Sequence, residues 1–326
     1  MTTMRAVVAV GQSYDDPLAH LVLDRSYPRP EPRAGWTRVF VKAASLNPHD
    51  LWTLRGVGHP AERLPIVLGC DAAGVTEDGR EVVVHPVLGE PRRGGGDETF
   101  DPRRSILSEA FDGGLAEELL VPDHMLVDKP SSLTFSQAAS LGIAWGTAFR
   151  MLFTRAGVKP GDRVLVQGAS GGVASASIAM ARAAGAIVTA TARSEEKMRF
   201  AESIGAHTAV AHGERLAEKV DVVIDSVGEA TWRHSLRAVR PGGVIATCGA
   251  TSGAMPAAEL QRVFYQQLSI VGSTGCTGGE FEAMLRLVES AGLSPAHEVI
   301  AFDEIREGFA RLDSGEVRGK IVVDMA

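Results

Sequence analysis

The fold is decided by the stretch Val164-Leu165-Val166-Gln167-Gly168-Ala169-Ser170-Gly171-Gly172-Val173-Ala174. An apolar run, typical of a buried strand, ends in a glycine turn, and the turn leads into an alanine-rich segment typical of a helix. At such a turn, the free backbone N–H groups and the partial positive charge of the helix N-terminus favour a pyrophosphate. We therefore predict a dinucleotide site at Gly168, Ser170, Gly171, Gly172 and Val173. The alternative interpretation is a tight turn that holds no ligand.

The residues after the next strand indicate which dinucleotide binds. An NAD site usually has Asp or Glu at the end of this second strand, where the carboxylate bonds the ribose hydroxyls. This sequence has Arg193 and Ser194 there, with Lys197 one helical turn further on. A guanidinium can hold a 2′-phosphate through two hydrogen bonds, whereas a carboxylate would repel it. The sequence therefore predicts NADPH as the cofactor; in the alternative interpretation, Arg193 and Lys197 are solvated surface charges.

Composition excludes several other classes of protein. The chain has 326 residues, enough for two domains, with 45% hydrophobic and 22% charged residues and a net charge of −7. No block is rich in Lys and Arg, so we expect neither nucleic acid nor an anionic membrane as a partner. No apolar run reaches the length of a membrane span, about 18 residues. The short apolar run at the N-terminus is typical of a first strand rather than a signal peptide. Cys70, Cys248 and Cys276 form no CxxC pair, so we expect no disulfide framework and a cytoplasmic location.

The pattern of the chain changes near residue 130. Residues 1–125 contain short alternating and β-branched runs broken by Pro and Gly, which indicates a β-rich domain, with Gly113–Leu120 as its last long strand. A capping box at Thr134–Gln137 predicts a helix that runs to about Phe153. Beyond it, alternating strands and helices predict an α/β fold with a doubly wound parallel sheet, whose ligand lies at the carboxyl ends of the strands. The predicted strands of this sheet are 163–167, 187–191, 207–210, 221–225, 243–247 and 269–272. The predicted helices are 173–184, 195–204, 214–218, 230–238 and 257–267, followed by 279–290, 303–314 and a final strand at 320–323.

Further motifs follow in order along the whole chain. They are Ala44-Ser45-Leu46-Asn47-Pro48-His49-Asp50, Leu68–Val75, Asp112–Glu117, Val223–Gly228, Arg240–Gly243, Leu268–Ser273 and Gly319–Val322. This series resembles the medium-chain dehydrogenase/reductase superfamily, and especially its zinc-free quinone oxidoreductase and enoyl reductase branch. The resemblance implies a GroES-like β-rich catalytic domain formed by residues 1–125 plus 276–326, and a doubly wound Rossmann NADPH-binding domain at 126–275, with the active site in the cleft. It also implies a homodimer joined through the last strand of the Rossmann sheet.

The resembling family divides into zinc-dependent and zinc-free members, so the positions of its metal ligands are decisive. The resemblance aligns Asn47 with the first Cys ligand, Cys70 with the His of a Gly-His-Glu motif, and Asp71 with the Glu beside it. The third ligand, a Cys, falls near residues 142–144, where no side chain can coordinate, and residues 92–110 lack the Cys of a structural zinc lobe. An amide is a poor zinc ligand. We therefore predict no metal site; the alternative is an improvised site formed by His49, Cys70 and Asp71.

Without zinc, the reduction of an activated C=C bond is easier than the oxidation of an alcohol, because the alkoxide then lacks its usual Lewis acid. In an enone or quinone, hydrogen-bond donors can hold the negative charge that develops on the carbonyl oxygen. We predict Asn47 as this donor, since the resemblance implies an Asn near the nicotinamide and substrate in zinc-free members. We predict His49 as the proton donor, because an imidazole can deliver a proton near neutral pH. The alternatives are a loop-capping amide at Asn47 and an exposed loop histidine at His49.

The remaining site residues are predicted from the resemblance. Trp52 stands where many zinc-free members have a Tyr proposed as an acid, but an indole N–H is not a useful proton source. Trp52 is therefore predicted as a wall of the substrate pocket, together with Trp145 and Phe264. The positions predicted along the cofactor are Thr147, Val227, Ala250, Ser273 and Thr274. The alternatives are core packing for Trp145 and Thr147, and a core or dimer contact for Phe264.

Together these predictions describe an NADPH-dependent oxidoreductase that transfers hydride, without zinc, to the C=C bond of a quinone or other α,β-unsaturated carbonyl compound. One alternative is a zinc-free carbonyl or alcohol oxidoreductase that uses His49. The other is an NADPH-binding protein with little catalysis, similar to the crystallin-like members of the family. In both oxidoreductase interpretations the substrate is a small molecule.

Overall fold

The computed structural model describes residues 3–325, which fold into two compact units. The first unit consists of residues 3–143, 277–282 and 297–325. The second unit consists of Ala144–Cys276 and Ala283–Ala296. Segments that are distant in the sequence therefore fold together in the first unit.

The structure contains the following regular elements, numbered along the described chain. The strands are β1 (Thr3–Ala9), β2 (Leu21–Pro28), β3 (Trp36–Ser45), β4 (Ile66–Val67), β5 (Asp71–Thr76), β6 (Glu81–Val84), β7 (Val87–Leu88), β8 (Ser105–Ile106), β9 (Glu118–Pro122), β10 (Leu126–Asp128), β11 (Arg163–Val166), β12 (Ile187–Ala192), β13 (Thr208–Ala211), β14 (Val220–Asp225), β15 (Val239–Thr247), β16 (Ser269–Gly272), β17 (His297–Ile300) and β18 (Lys320–Asp324). The α-helices are α1 (Pro48–Arg55), α2 (Phe135–Ala139), α3 (Gly142–Phe149), α4 (Gly172–Ala183), α5 (Glu195–Ser203), α6 (Glu229–Ala238), α7 (Leu260–Tyr265), α8 (Gly278–Ser290) and α9 (Ile305–Ser314). A π-helical segment at Arg150–Arg155 continues α3, and 3-10 turns lie at Pro17–His20, Ala61–Arg63, Pro91–Gly94, Glu98–Phe100, Asp123–Met125 and Phe302–Glu304.

In the first unit, a mixed sheet brings three distant segments side by side. Its strands run in the order β10-β6-β5-β3-β18-β17, and β9 also pairs with β3. At the end of β3, Ser45 is paired with Asp71 of β5 on one side and with Val322 of β18 on the other. A buried apolar core that includes Leu54, Leu68 and Phe309 packs against this unit's strands. The register therefore places the beginnings of β5 and β18 beside the loop that leads into α1.

The second unit is built on a parallel sheet with the order β13-β12-β11-β14-β15-β16. Its first strand, β11, is completely buried at Val164, Leu165 and Val166, as its apolar run predicts. The doubly wound parallel sheet predicted from the sequence is confirmed. In a sheet of this kind, the loops that follow all the strands meet along one edge.

Three details of the predicted elements are wrong. The helix from Thr134 is interrupted at 140–141, because α3 begins anew with the N–H of Ile143 directed at a buried carboxylate, although the predicted capping box is present. No helix forms at 214–218, where Gly213 has φ +77° and Glu214 accepts a hydrogen bond from the backbone of Ala211. The strand predicted from Gly113 begins only at Glu118.

None of the helices within residues 3–325 is both long enough and apolar enough to cross a membrane.

Candidate functional site

Asp71 and Lys320 form an ion pair in the first unit that is closed off from solvent. Their side chains are 0% and 4% exposed, and Nζ of Lys320 lies 3.1 Å from Oδ2 of Asp71. The ammonium also donates to the carbonyl oxygen of Leu46 at 3.0 Å and to Oδ1 of Asn47. Because three acceptors match the three N–H bonds of an ammonium, the charge of Lys320 is satisfied inside the protein.

Asp71 is the centre of a larger buried network. Its Oδ2 also accepts from Oγ of Ser45 and from Nδ2 of Asn47, each at 2.7 Å. Its Oδ1 accepts from the backbone N–H of Ile143 at 2.6 Å, and this bond satisfies one of the free donors at the start of α3. We call Ser45, Asn47, Asp71 and Lys320, with the N–H of Ile143, the Asp71 network.

The amide of Asn47 is fixed by this network and is 2% exposed. One N–H donates to Asp71 and the other to the carbonyl oxygen of Ser45 at 3.2 Å, while Oδ1 accepts from Lys320. The backbone N–H of Asn47 donates to Asp50 at 2.9 Å, and Asp50 also accepts from Gly69 at 2.8 Å. Both amide hydrogens are thus engaged. The predicted role of Asn47 as a donor to a substrate carbonyl stays a prediction that requires the longer bond, to Ser45, to open.

The residues at the metal-ligand positions do not suit zinc. Oδ1 of Asn47, the atom through which an amide would bind a metal, accepts a hydrogen bond from the ammonium of Lys320. Burial, followed by the carboxylates of Asp71 and Asp50, raises the pKa of the Cys70 thiol well above its usual range, whereas zinc needs the thiolate. A Cβ on Gly142 would lie only 1.9 Å from Oδ1 of Asp71, so a ligand side chain has no room there. In the part of the chain that the structure describes, no group of three or more His, Cys, Asp or Glu side chains is placed to hold a metal ion.

His49, in the first turn of α1, is paired with Glu109. Nε2 of His49 lies 3.0 Å from Oε1 of Glu109, and the two side chains are 15% and 27% exposed. Oε2 of Glu109 accepts from the backbone N–H of Ile106 at 2.7 Å and from Oγ of Ser105 at 3.1 Å. Because both oxygens of the carboxylate are engaged, Glu109 is held in place by its own loop as well as by His49.

The pKa shifts of His49 and Glu109 are opposite in direction, and each favours the charged form of its group. Burial acts to lower the pKa of His49, but the hydrogen bond with Glu109 and the negative charge of Asp50 outweigh burial, so this pKa is raised. Burial acts to raise the pKa of Glu109, but the hydrogen bonds from His49 and from the backbone of Ile106 outweigh burial, so this pKa is lowered. Both shifts favour an imidazolium–carboxylate pair.

In the second unit, the N-terminus of α4 provides the predicted anion site. Gly168 has φ +74°, a conformation that favours glycine. Gly171 is the N-cap of α4, and no side chain at this position accepts a hydrogen bond from the first N–H groups of the helix. A Cβ on Gly171 would meet no atom within 4 Å, so the space above the turn is open. The first N–H groups of α4 can therefore receive a diphosphate.

A chain of buried polar groups supports this turn from below. The backbone N–H of Gly168 donates to Oγ1 of Thr191 at 3.1 Å, and this hydroxyl donates to Oε1 of Gln167 at 2.8 Å. Nε2 of Gln167 donates to Oγ of Ser235 at 3.0 Å, and Ser235 donates to the buried Asp225 at 2.7 Å. The glycine turn is thereby tied to β12, β14 and α6.

The loop after β12 carries the residues predicted to select the phosphorylated cofactor. Arg193 and Ser194 are exposed and Lys197 is half-buried. Oγ of Ser194 accepts from the backbone N–H of Lys197 at 3.3 Å and so caps α5. The next loop lies beside it, because the backbone N–H of His212 donates to the carbonyl oxygen of Ala192 at 2.9 Å. The guanidinium of Arg193 is therefore available to an anion at the carboxyl end of the sheet.

The other predicted cofactor residues follow the remaining strands at the same edge. The side chain of Val227 lies 2.8 Å from the place where Gly168 would carry a Cβ, and Cα of Ala250 lies 2.9 Å from the corresponding place on Gly228. The backbone N–H of Ser273 donates to Thr247 at 2.8 Å, while its hydroxyl is buried without a partner. Thr274 is exposed. An orphaned hydroxyl at the edge where the other predicted residues meet fits a ligand.

The predicted pocket residues lie in different environments. Trp52 is half-buried on α1, one turn after His49. Trp145 and Thr147 are buried on α3, at 2% and 6% exposure. Phe264 is 69% exposed on α7. The roles of these four residues in a substrate or cofactor pocket stay predictions.

Sequence reasoning missed the partners of the two catalytic candidates. Lys320 stands in the motif Gly319–Val322, but nothing local in the sequence connects it with Asn47, which is 273 positions away. The sequence indicates Asp71 only as a residue at or beside a metal-ligand position, not as the partner of Asn47. Glu109 follows the charged, glycine-rich segment 92–104 and lies 60 positions from His49. Only the tertiary register reveals these pairs.

Two family models match the chain. The model described as alcohol dehydrogenase GroES-like domain matches residues 33–131, and the model described as zinc-binding dehydrogenase matches residues 172–290. Among curated relatives, crotonyl-CoA reductase of Streptomyces avermitilis is 31% identical over 339 residues, covering 86% of this chain and 76% of the relative. Quinone oxidoreductase of Pongo abelii is 32% identical over 231 residues, covering 68% of this chain and 66% of the relative.

Solved structures match over nearly the whole chain. An NAD-dependent alcohol dehydrogenase superimposes with a TM-score of 0.91 at 36% identity, covering 98% of this chain and 99% of that one. The 2-octenoyl-CoA carboxylase reductase CinF, solved in complex with NADP and 2-octenoyl-CoA, superimposes with a TM-score of 0.89 at 26% identity, covering 100% of this chain and 88% of that one. The predicted GroES-like and Rossmann folds are thus confirmed, and the chain belongs to the medium-chain dehydrogenase/reductase superfamily of oxidoreductases.

Proposed function

We propose that this protein is a zinc-independent, NADPH-dependent reductase of the C=C bond of α,β-unsaturated carbonyl compounds, a class that includes quinones and enoyl thioesters. The observation that carries the proposal is the Asp71 network. Asn47, at the position of the family's first metal ligand, is bonded in this network to the carboxylate of Asp71 and the ammonium of Lys320, and these groups satisfy one another. The named activities of the relatives, crotonyl-CoA reductase and quinone oxidoreductase, support the same reaction class.

The second unit supports NADPH as the cofactor. The open turn at Gly171 and the uncapped N-terminus of α4 suit a diphosphate. Arg193 and Lys197 suit a 2′-phosphate, with no carboxylate in the position that would favour NADH. The NADP complex of the CinF reductase agrees with this assignment, whereas the NAD-dependent alcohol dehydrogenase shows that similar chains also use NAD. NADPH, when bound, supplies the hydride.

The first unit supplies the polar groups for the substrate. Hydride addition to the β-carbon leaves negative charge on the carbonyl oxygen and α-carbon, which needs a donor and then a proton. His49 can meet the second need, because its pair with Glu109 favours the imidazolium. Asn47 can meet the first need only if its N–H leaves the carbonyl oxygen of Ser45.

One alternative activity has an observation in its favour. The similar NAD-dependent alcohol dehydrogenase suggests reduction of a C=O bond, for which His49 would protonate the alkoxide that results. An NADPH-binding protein with little catalysis is the remaining alternative, and it predicts binding without turnover.

A screen of NADPH oxidation separates these possibilities. The purified protein is mixed with NADPH and, in turn, with quinones, short and long enones, enoyl thioesters and the matching saturated aldehydes. We expect loss of absorbance at the NADPH band with at least one unsaturated acceptor. By NMR, the product is expected to be a saturated carbonyl compound from an enone or enoyl thioester, and a hydroquinone from a quinone. Formation of an unsaturated alcohol would support C=O reduction instead. Tight NADPH binding with no turnover of any acceptor would contradict the reductase assignment.

We also propose a homodimer formed along β16, the edge strand of the second unit's sheet. The neighbouring helix α7 exposes Leu260, Phe264 and Tyr265 at 71%, 69% and 77%, and large exposed apolar patches usually mark an interface. Phe264 then serves as a dimer contact. Sedimentation equilibrium is expected to give a dimer for the wild type and a monomer for Leu260→Asp; a monomeric wild type would contradict the proposal.

A further inference from the structure

Unpartnered polar atoms concentrate around one pair of residues in the first unit. Within its described residues, the buried side-chain atoms without a hydrogen-bond partner are Nδ1 of His49, both ring nitrogens of His59 and Oγ of Ser108. Ser108 immediately precedes Glu109, and the charges of Glu109 and His49 both act on the pKa of His59. Buried polar atoms in proteins nearly always have a partner. A cluster of atoms that lack one is typical of a site that receives a polar ligand.

The pair with Glu109 determines which nitrogen of His49 is chemically active. A carboxylate only accepts hydrogen bonds, so the Nε2 atom that faces Glu109 must carry a hydrogen. The atom left over is Nδ1, which is buried and has no partner in the protein. Nδ1 is therefore the atom at which His49 can gain or lose a proton. A carboxylate that fixes one ring nitrogen and leaves the other for the substrate is the arrangement of histidines that act as acids or bases in catalysis.

The loop that carries Glu109 is held in an unusual conformation. Ser108 has φ +72°, in the left-handed region that favours glycine, and its side chain is completely buried. Backbone strain of this kind persists only where the surrounding contacts enforce it, and it is frequent at functional sites. Here the contacts are the bonds from Ile106 and Ser105 to the carboxylate of Glu109. The loop thus orients the carboxylate toward His49.

We infer that Glu109 is the positioning residue for a catalytic acid, His49, which delivers the proton on Nδ1 to the α-carbon of the substrate. The inference rests on the proposed function. In this step the Nδ1–H bond breaks and its electron pair stays on nitrogen, while the electron pair of the enolate forms the new C–H bond. The imidazolium and the enolate become a neutral imidazole and the reduced carbonyl compound, and solvent then protonates His49 again.

The charges around His49 favour its protonated form. Asp50 on the same helix, Glu109 on the facing loop and Asp71 on β5 all act to raise the pKa of His49. His59 adds no opposing charge near neutral pH, because burial and then the charge of Arg63 lower its pKa. The acid is therefore lost as the pH rises through the raised pKa of His49, at a higher pH than for an ordinary histidine. Without the charge of Glu109, this loss occurs at lower pH.

Nitrogen NMR on the cofactor-free protein tests the pair independently of turnover. The protein is labelled with ¹⁵N-histidine, and the signals of His49 are assigned by their loss in His49→Gln. We expect neutral His49 to be protonated at Nε2, and its pKa to fall in Glu109→Gln. The control is Glu90→Gln, which makes the same change at a carboxylate that is 63% exposed and paired with Arg93; it leaves the titration of His49 unchanged. A neutral form protonated at Nδ1, or an unchanged titration in Glu109→Gln, would overturn the positioning role.

Kinetics with an acceptor from the screen test the acid role. We expect kcat to fall about 100-fold in His49→Gln, within the range of a general acid. In Glu109→Gln we expect a fall of about 10-fold, with KM changed less than about twofold and the loss of activity with rising pH moved to lower pH. Glu90→Gln keeps the wild-type kcat and pH profile. An active wild type together with an unimpaired His49→Gln overturns the acid role alone, whereas a wild type that reduces no acceptor overturns the proposed function and the acid role together.

Discussion

Replacing Lys320 by methionine tests the Asp71 network directly. The substitution keeps most of the aliphatic side chain but leaves the fully buried carboxylate of Asp71 without its counter-ion, and Oδ1 of Asn47 without its donor. Removal of one partner from a buried ion pair typically costs about 3–5 kcal/mol, because the remaining charge is uncompensated. At about 2–4 °C per kcal/mol for a medium-sized domain, we expect the melting temperature of the first unit to fall by about 6–20 °C.

Lys129→Met is the matched control. The ammonium of Lys129 is also buried, at 5% exposure, and it also donates to carbonyl oxygens, but its partner Glu81 is 53% exposed. Water can solvate Glu81 when the lysine is removed, so we expect a loss of only about 1 kcal/mol. The difference between the two variants isolates the cost of stranding a buried carboxylate.

A double-mutant cycle separates the ion pair from the packing of its side chains. Differential scanning calorimetry gives the stability of wild type, Lys320→Met, Asp71→Asn and the double variant. If the charges act as a pair, the double variant loses at least about 2 kcal/mol less than the sum of the single variants, since neither charge is then left alone. Additive losses, or a Lys320→Met variant as stable as Lys129→Met, would refute the view that a buried charge pair organises this site.

Three further predictions concern the cofactor and the metal. Arg193→Glu is expected to weaken NADPH binding at least about 30-fold and to leave NADH binding nearly unchanged, because the new carboxylate repels only the 2′-phosphate. Fluorescence titration with both nucleotides measures the two affinities. Equal losses of affinity for NADPH and NADH would contradict the assignment of Arg193. Gly171→Val is expected to weaken NADPH binding at least about 10-fold, because the valine side chain would enter the space for the diphosphate. The melting temperature is expected to stay unchanged, since a Cβ at residue 171 meets no protein atom within 4 Å. A wild-type dissociation constant for NADPH would contradict the assignment of the turn. Protein grown with added zinc is expected to contain far less than one zinc ion per chain by elemental analysis, and stoichiometric zinc would overturn the zinc-independent proposal.

The architecture of the second unit was predictable because its signals are local. The apolar run before Gly168 marks a buried strand, and the predicted strands 163–167, 187–191, 207–210, 221–225 and 269–272 match observed strands to within one residue at each end. In a parallel sheet covered on both faces, each strand is a short apolar run, and helical segments separate the runs. The segment 214–218 was misjudged because a few polar residues carry no helical period, and Gly213 already reverses the chain there.

The candidate site of the first unit was predictable only in part. Asn47 and His49 stand in one motif, so a resemblance can reveal them together. Their partners lie in other segments: the bonds from Lys320 to Asn47 and from His49 to Glu109 span 273 and 60 positions. The first contact depends on the register of β18 against β3, and the second depends on a loop held by hydrogen bonds from Ser105 and Ile106 to the carboxylate of Glu109. Neither feature leaves a period or a motif in the sequence.

The charged partners of Asn47 and His49 bear on whether the proposed reaction runs as a reduction or as an oxidation. In the Asp71 network the charges of Asp71 and Lys320 cancel, and the favoured charges of His49 and Glu109 also cancel. These two pairs therefore offer no excess positive charge to hold an alkoxide, which is what a metal provides in alcohol oxidation. In the proposed reduction, His49 instead neutralises a negative centre by transferring its proton, so that the reaction takes up one proton. Below the raised pKa of His49, the imidazolium has the proton that the proposed reduction needs. Above this pKa, the neutral ring can accept a proton, and this would assist the reverse reaction.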